Sequence, residues 1–316
     1  MVTAQQAMPA RRTLTGVVKR GLLAAGYYAR RLARVDFPGL AVLCFHDVIR
    51  GGSDRMPFER LHVSVATFDQ QCRIIARHCT PISLEDLRTA LLSGRSLPPR
   101  AVLMTFDDGY YGVLANALPV LERYRIPAVV FACSGAIETG THFWFDAASK
   151  RSGDAFTARA RQLPYDEWRQ VASTCQAVAG PDEAHRPLTV SELRALAGHP
   201  LIEIGSHTVN HPTLGVMPRA EQSAEVDMSC RRLGELTGRP VRAFAYPYGK
   251  PGADFTAETV EVVAEAGLDL AFTTAETFAG FGGDRLQIPR FVMLDSVDGA
   301  ELAHRLAHSW HRSMPA

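Results

Sequence analysis

Short apolar runs alternate with longer amphipathic stretches from residue 39 onward. The runs are continuously apolar rather than alternating, which is typical of strands that are buried on both faces of a sheet. Alternation of strands and helices with short connections indicates an α/β fold with a parallel sheet. About seven such units favour a distorted (β/α) barrel over a doubly wound sheet. The predicted strands are Leu40–Phe45, Ala101–Phe106, Ala128–Ala132, Leu201–Gly205, Val241–Tyr246, Leu270–Thr273 and Ile288–Val292.

Capping residues locate several helix ends in the sequence. Ser83 with Asp86, and Thr189 with Glu192, have the spacing of a capping box. Gly238 stands where a helix beginning near residue 218 should end. Residues from about 135 to 186 interrupt the alternation because they contain helix-prone polar stretches and no predicted strand. We interpret this segment as a helical insertion that covers the site.

The first 36 residues form a basic extension that differs from the domain predicted over residues 37–316. They contain seven lysines and arginines against a single acid, Asp36. Their apolar residues recur at helical spacing, so we expect an amphipathic helix that either packs on the domain or makes peripheral contact with an anionic membrane. Lys19 and Arg20 interrupt the apolar stretch that an export signal needs. We therefore expect a cytoplasmic protein, able to associate with a membrane, rather than an exported one.

Composition narrows the remaining classes of protein. The 316 residues are 47% apolar and 21% charged, which is enough to bury a large core. A formal net charge of +1 predicts no general attraction to nucleic acid. The six cysteines are scattered and include no C-x-x-C pair, so we expect free thiols in a reduced interior.

Titratable residues follow two of the predicted strands directly. Asp107 and Asp108 end one strand, and a cation on one carboxylate would leave the other free to act as a base. His207 and His211 follow another strand, and two histidines at this spacing can hold one metal ion. Pro212 disfavours a helical conformation at His211, so we place the pair on a loop at the end of the strand.

Two more strands end in residues of the same kind. His46 follows the first strand, and Pro247 with Gly249 ends the strand that begins near residue 241. Each feature alone is explained by a turn or by a structural histidine. The loops after the strands of a parallel barrel share one face, however, where active sites are built. Four such strand ends together therefore predict a catalytic site.

The motifs at these strand ends resemble those of a known family. Thr105-Phe106-Asp107-Asp108, His207-Thr208-x-x-His211 and Tyr246-Pro247-Tyr248-Gly249 are similar to the motif series of the polysaccharide deacetylases, carbohydrate esterase family 4. The resemblance covers about residues 39–292, and several stretches are similar to the bacterial branch that includes poly-N-acetylglucosamine deacetylases. It implies a distorted (β/α) barrel, a divalent metal and hydrolysis of acetyl groups on sugars.

The resemblance also implies roles for single residues. Asp108, His207 and His211 would bind the metal, with Zn²⁺ expected and Co²⁺, Ni²⁺ or Mn²⁺ as alternatives. Asp107 would be the general base. The backbone N–H of Tyr248 would stabilise the oxyanion, so the turn at this position matters more than its ring.

The sequence departs from the family pattern in two places. Ala245 stands where the third motif usually has an arginine that orients the catalytic aspartate, and Arg290 is our candidate for its replacement. The late Leu-x-His motif that usually supplies the general acid has no match after Arg290. Leu43-x-x-His46 fits a permuted arrangement, so we predict that His46 is the acid.

The substrate expected from the resemblance is an N-acetylated poly- or oligosaccharide, or a lipid-linked glycan. We predict that Tyr246 and Pro247 contribute to substrate binding, and that Trp144 and Asp146 form an edge on which a sugar stacks. An O-acetyl esterase, a sugar deformylase, a hydrolase of cyclic amides and a non-catalytic sugar-binding barrel remain alternatives.

Overall fold

The computed structural model of the protein describes residues 8–51, 61–175, 179–180, 185–280 and 282–308. The strands are β1 Ala41–Phe45, β2 Val48–Ile49, β3 Val63–Ser64, β4 Thr80–Pro81, β5 Ala101–Phe106, β6 Ala128–Ala132, β7 Ile202–Ser206, β8 Ala243–Ala245, β9 Leu270–Phe272 and β10 Phe291–Val292. The helices before β7 are α1 Met8–Ala24, α2 Tyr27–Leu32, α3 Val65–His78, α4 Leu84–Ser93, α5 Leu118–Tyr124, α6 Ser134–Thr139, α7 Trp144–Ser152, α8 Asp154–Ala160, α9 Tyr165–Thr174 and α10 Val190–Ala197. The later ones are α11 Arg219–Thr237, α12 Ala257–Glu265 and α13 Gly299–Ala307.

The main sheet is parallel and curls into a distorted barrel, as predicted. Its strands run in the order β10-β1-β5-β6-β7-β8-β9, and β4 pairs with the beginning of β5. A parallel bridge between Phe272 and Ile288 links the β9 edge to the chain that leads into β10. The carboxyl ends of these strands therefore surround one opening, as in other (β/α) barrels.

All seven predicted strands are present in this sheet, and some are shorter than their apolar runs. Every residue of β1, β5 and β6 is buried, which explains why these runs are apolar without alternation. β10 contains only Phe291 and Val292, because the preceding Pro289 has no N–H for a ladder hydrogen bond. Likewise β8 ends at Ala245, two residues before Pro247.

The predicted helix ends agree with the structure. Both capping boxes are formed, at Ser83 with Asp86 and at Thr189 with Glu192. Gly238 follows α11 with a φ of 70°, a left-handed conformation that glycine adopts without a steric cost. The helices that cover the outer face of the sheet are thus fixed by local sequence as well as by burial.

The segment between β6 and β7 begins with four helices, α6 to α9, and contains no strand among its described residues. The predicted insertion, about 135–186, includes residues 176–178 and 181–184, which lie outside the described part. An aromatic cluster joins α7 and α9, where the rings of Trp144 and Trp168 meet edge to face with centroids 5.8 Å apart. These helices stand beside the opening of the barrel and supply one wall of its cavity.

The basic N-terminal helices pack on the last helix. Lys19 pairs with Glu301, and Arg20 Nη1 lies 2.8 Å from Asp298 Oδ2. Tyr28 is fully buried, and its hydroxyl lies 3.0 Å from His304 Nδ1. Residues 1–7 of the predicted extension lie outside the described residues. None of the described helices is long and apolar enough to cross a membrane.

Candidate active site

Two adjacent aspartates leave β5 at the opening of the barrel. Asp108 has a φ of 71° and Gly109 a φ of 91°, so the chain turns sharply here instead of continuing as a strand. This turn allows Asp107 and Asp108 to reach the same pocket, although successive side chains of a strand point to opposite faces. Both are 3% exposed. Two carboxylates this deeply buried require a compensating charge or hydrogen bonds.

The loop after β7 holds His207 and His211 in fixed orientations. It is not helical, as predicted from Pro212, and Thr208 and His211 have φ values of 68° and 57°. His207 Nδ1 lies 2.7 Å from the carbonyl oxygen of Ala245, which fixes the tautomer and leaves Nε2 free to bind. The backbone N–H of His211 donates a hydrogen bond to Thr208 Oγ1 at 2.9 Å.

A buried glutamate on α11 supports the same loop from behind. The Glu225 carboxylate accepts hydrogen bonds from the backbone N–H groups of Val209 and Asn210 at 2.8 and 2.9 Å. Hydrogen bonds of this kind keep ligand-bearing loops in one conformation before the ligand arrives.

Three side chains converge on one point between these loops. Asp108 Oδ1 lies 3.5 Å from His207 Nε2 and 3.4 Å from His211 Nε2. Ligands about 2.0–2.1 Å from a tetrahedral zinc ion are separated by roughly 3.3 Å, so these spacings fit such an ion. Asp108 Oδ1 is buried and has no hydrogen-bond partner among the described residues. The residues present therefore fit a divalent metal with one aspartate and two histidine ligands.

The electrostatics of the three residues agree with that interpretation. Burial, and next the charge of Asp107, raises the pKa of Asp108 well above its usual value. Burial lowers the pKa of His207. Burial also lowers the pKa of His211, and the nearby His207 lowers it further. Without a cation the carboxyl is favoured in its neutral form and the imidazoles are already neutral. A divalent cation would stabilise the carboxylate and leave the histidines in the form that binds metal.

Asp107 is paired with Arg290, the residue that the sequence offered as a candidate replacement for the missing arginine. Arg290 Nη1 lies 2.6 Å from Asp107 Oδ1 and Nη2 lies 2.7 Å from Oδ2, a bidentate pair. Arg290 is fully buried and also donates to Thr273 O at 3.0 Å and to Thr105 Oγ1 at 3.1 Å. Burial alone would raise the pKa of Asp107, but Arg290, with a further contribution from His207, outweighs it and holds this pKa well below its usual range. Asp107 is therefore an ionised acceptor beside the candidate metal ligands.

His46 and Cys44 approach Asp107 from β1. A ring nitrogen of His46, Cys44 Sγ and a carboxylate oxygen of Asp107 lie within 4.8 Å of one another. Cys44 Sγ is 3.4 Å from Asp107 Oδ2. Burial lowers the pKa of His46 to about 4, although Asp107 partly opposes this change. The imidazole is thus neutral at rest and must receive a proton before it can donate one.

The turn after β8 exposes the backbone of Tyr248. This residue has a φ of 60°, and its carbonyl accepts the hydroxyl of Thr274 at 2.8 Å. The next residue, Gly249, has a φ of 74°, and a Cβ there would lie 2.8 Å from the Thr274 side chain. Glycine is therefore required at this position. The Tyr248 N–H has no acceptor among the described residues and remains available to a ligand.

These residues line a cavity of about 430 Å³, within the range of small-molecule sites. Its wall contains six of the predicted residues, His46, Asp107, Asp108, His207, His211 and Tyr248. It also contains Arg161 and Asp254, which were not predicted from the sequence. Arg161 stands in a polar insertion and Asp254 in a loop, where charged residues are common. Their charge is therefore only a weak indication of a functional site in the sequence.

Four predicted substrate-binding residues do not line this cavity. Tyr246 is fully buried, stacks on Phe255 and donates its hydroxyl to Leu286 O at 2.9 Å. Pro247 is buried and precedes the Tyr248 turn, where its carbonyl accepts a hydrogen bond from the Gly249 N–H at 2.6 Å. The apolar stretch around these residues is explained by core packing.

Trp144 and Asp146 are also buried rather than presented to a sugar. Trp144 is 5% exposed, and its Nε1 donates to the carbonyl of His211 at 3.2 Å. Asp146 accepts the Tyr110 hydroxyl at 2.8 Å and lies 3.3 Å from His185 Nε2. Both residues therefore hold the insertion against the site, and neither forms an accessible edge, because their polar atoms are directed inward.

A second buried cluster joins the insertion to β1. His185 Nδ1 lies 2.9 Å from Asp47 Oδ2, while its Nε2 faces Asp146. Burial lowers the pKa of His185, but the hydrogen bonds with Asp146 and Asp47 outweigh it and raise the value to about 9. Both ring nitrogens thus have carboxylate partners, which fits a charged structural histidine better than a metal ligand.

The fold and the site define the class of protein, and comparison with known proteins defines the family. The chain is a parallel (β/α) barrel with a buried cluster of aspartate and histidine at the carboxyl ends of its strands. The family model for polysaccharide deacetylases matches residues 94–271. The chain belongs to the polysaccharide deacetylase family.

Individual relatives are distant. The poly-β-1,6-N-acetyl-D-glucosamine N-deacetylase of Escherichia coli strain K12 is 24% identical over 72% of this chain, but the chain spans only 32% of that protein. The putative polysaccharide deacetylase YxkH of Bacillus subtilis is 21% identical over 74% of the chain and 64% of its own length.

Two solved structures share the fold. The Streptococcus pyogenes deacetylase PplD in complex with acetate superposes with a TM-score of 0.63, at 19% identity, over 84% of this chain and 97% of that one. IcaB from Ammonifex degensii superposes with a TM-score of 0.60, at 21% identity, over 85% and 97%. The family model confirms the predicted family, and the superpositions confirm the predicted fold.

Proposed function

We propose that the protein is a metal-dependent N-deacetylase that hydrolyses acetamido groups on an N-acetylated glycan. One observation carries the proposal: Asp108, His207 and His211 converge with the spacing of metal ligands, while Arg290 keeps Asp107 ionised beside them. Members of the polysaccharide deacetylase family and a relative named for poly-β-1,6-N-acetyl-D-glucosamine support the glycan as substrate.

The three candidate ligands would hold the metal and leave a position for water. When bound there, a divalent ion such as Zn²⁺ supplies Lewis-acid chemistry, lowering the pKa of a water molecule and polarising the acetyl carbonyl. Two neutral imidazoles and one carboxylate are ligands that suit zinc, and Co²⁺, Ni²⁺ or Mn²⁺ are alternatives.

Asp107 takes the proton of the attacking water in this proposal. Its carboxylate stays ionised because of Arg290, so it can accept a proton at neutral pH. The same bidentate pair fixes the direction of the carboxylate, and the Thr273 and Thr105 contacts fix the guanidinium in turn. Orientation of the base before the substrate binds lowers the entropic part of the barrier.

The Tyr248 N–H donates to the oxygen that becomes negative as water adds to the carbonyl. This donor is part of a rigid turn, so it needs little reorganisation when charge develops. The leaving nitrogen must then be protonated. A ring nitrogen of His46 lies within 4.8 Å of an Asp107 carboxylate oxygen, and in this proposal the imidazole, which is neutral at rest, takes up the proton and passes it to the leaving nitrogen.

The test is release of acetate by the metal-loaded protein from a panel of substrates. The panel contains N-acetylglucosamine oligomers, acetylxylan, an N-formyl sugar and a lipid-linked N-acetyl sugar, with Asp107→Asn as the blank. Release from the N-acetyl oligomers alone supports the proposal. Release only from acetylxylan, or formate only from the formyl sugar, would replace it by an esterase or a deformylase. Binding of oligomers without hydrolysis would indicate a sugar-binding barrel.

We also propose that the protein is cytoplasmic and that its N-terminal helices make peripheral contact with an anionic membrane. Val17 and Val18 are 56% and 55% exposed on α1, and Arg30 and Arg34 are exposed on or just after α2. Apolar side chains flanked by cations are the surface that favours the interface of an anionic bilayer.

A further inference from the structure

Arg161, at the end of α8 in the insertion, reaches into the cavity that contains the candidate metal ligands. Its guanidinium lies 4.2 Å above the ring of Tyr248, and its Nη1 is 3.4 Å from Asp254 Oδ1. The ring of Tyr248 also contacts His211, with centroids 4.6 Å apart. The guanidinium is therefore one aromatic ring away from a candidate metal ligand, and two partners hold it there.

The polar atoms around Arg161 have unused hydrogen-bonding capacity. The guanidinium has an ion pair with Asp254 Oδ1 at 3.4 Å, which engages Nη1 and leaves its other N–H donors available. Asp254 is 2% exposed, and its Oδ1 has the ion pair with Arg161 but no hydrogen-bond partner among the described residues. The buried hydroxyl of Tyr248 also has none within that part of the chain. Buried polar atoms without partners are costly, so a ligand that satisfies them gains binding energy.

The combination of these atoms specifies the kind of ligand. Guanidinium N–H groups only donate, a carboxylate only accepts, and a phenol does both. A sugar hydroxyl also donates and accepts, so adjacent hydroxyls can satisfy all three groups. The charges of Arg161 and Asp254 balance each other, which favours a neutral ligand over an anionic one.

We propose that Arg161, Asp254 and the Tyr248 hydroxyl form a subsite for hydroxyl groups of a neutral sugar unit. This subsite rests on the proposed function and extends it: the substrate has a neutral sugar ring that occupies the insertion side of the cavity while the acetamido group reaches the metal. Arg161 comes from the insertion, so the insertion contributes to specificity and not only to the wall of the cavity.

Binding and turnover together test the subsite. Calorimetric titration of neutral N-acetylglucosamine oligomers into metal-loaded Asp107→Asn protein measures binding without turnover. In this background Arg161→Ala should weaken binding about 10- to 100-fold, and Tyr248→Phe, which removes one neutral hydroxyl, about 2- to 10-fold. In the otherwise unmodified enzyme, Arg161→Ala should raise the KM for the oligomers by a similar factor and change kcat little.

A small acetyl ester without a sugar, such as 4-methylumbelliferyl acetate, separates binding from positioning. If Arg161 binds the sugar, Arg161→Ala should lose much less activity on this ester than on the oligomers. Arg159→Ala is the matched control, because this arginine is exposed on the same helix, two residues away, and does not line the cavity. Metal content and thermal midpoint confirm that each variant is folded.

Two results would overturn the subsite. One is unchanged oligomer affinity in Arg161→Ala. The other is an equal loss of kcat on oligomers and ester, which would make Arg161 a residue that positions the Tyr248 turn. Failure of the proposed function is distinguishable from both, since oligomers would then bind in an Arg161-dependent manner without release of acetate.

Discussion

Arg290 and Asp107 form a fully buried bidentate ion pair between residues 183 positions apart in the sequence. The pair joins the last strand of the barrel to the end of β5. The family resemblance would place an arginine at position 245, where this chain has a buried alanine. A guanidinium from a different strand thus reaches the same carboxylate, because β10 and β5 both flank β1 in the sheet.

The first prediction concerns this pair. Arg290→Lys keeps a charge but loses the bidentate geometry, so we expect kcat/KM to fall about 10- to 100-fold. Arg290 keeps the pKa of Asp107 low, and burial raises it when the guanidinium is removed. The acidic limb of the pH–rate profile should therefore move to higher pH. An unshifted limb together with an unchanged kcat/KM in Arg290→Lys would contradict the role of the pair in orienting the base.

Removal of the metal should abolish turnover. After treatment with a chelator we expect loss of acetate release, with recovery on addition of Zn²⁺ or Co²⁺. Asp108→Asn and His207→Ala should lose bound metal, as measured by elemental analysis, because each removes one of three ligands. Asp107→Asn is the matched control, since it should lose activity and retain metal. Full activity of the metal-free protein would contradict the proposed function.

The His46→Gln variant tests the proton donor. Loss of a general acid typically costs 10²- to 10⁴-fold in rate, so we expect a fall in kcat of that size with metal content unchanged. The loss should be smaller for an aryl ester, whose leaving group needs no protonation. The same large loss on both substrates would assign His46 to another step.

The charged histidine between two carboxylates predicts a pH dependence of stability. The pKa of His185 is raised to about 9, above the unfolded value of about 6.5. Its contribution is therefore fully present below pH 6.5 and is lost as the pH rises through 9. Over this window we expect the free energy of unfolding to fall by about 2–3 kcal/mol.

Chemical denaturation between pH 6 and 9.5 measures this effect. Other groups titrate in the same range, so the informative quantity is the difference between wild type and His185→Gln. His199→Gln is the control, because His199 lies outside this cluster and is paired with the more exposed Glu122. Parallel stability curves for wild type and His185→Gln would show that His185 is not charged in the folded state.

Membrane contact is tested by sedimentation with lipid vesicles. We expect the protein to bind vesicles that contain phosphatidylserine and to be released by high salt. The double substitution Arg30→Glu and Arg34→Glu should weaken binding, since each cation contributes about 1 kcal/mol near the surface. Equal binding to neutral vesicles, or none to anionic ones, would exclude the basic helices as an electrostatic anchor.

Local sequence was sufficient for much of the fold. Continuous apolar runs identified the buried strands, because a strand covered on both faces has no polar position. Ser83 with Asp86, and Thr189 with Glu192, located helix starts because capping depends on residues three apart. Neighbouring residues likewise identified the candidate metal ligands, since Asp108, His207 and His211 each stand at the end of a strand.

Only the tertiary structure decided which distant groups meet. The buried positions of Trp144 and Tyr246 could not be predicted, because an aromatic residue has the same local pattern in a core as at a sugar-binding edge. Nor could the sequence identify Arg161, whose place in the cavity depends on how the insertion packs over the Tyr248 turn. Short-range patterns fix secondary structure and strand ends, whereas partners far apart in the chain are determined by how the barrel closes and how the insertion packs on it.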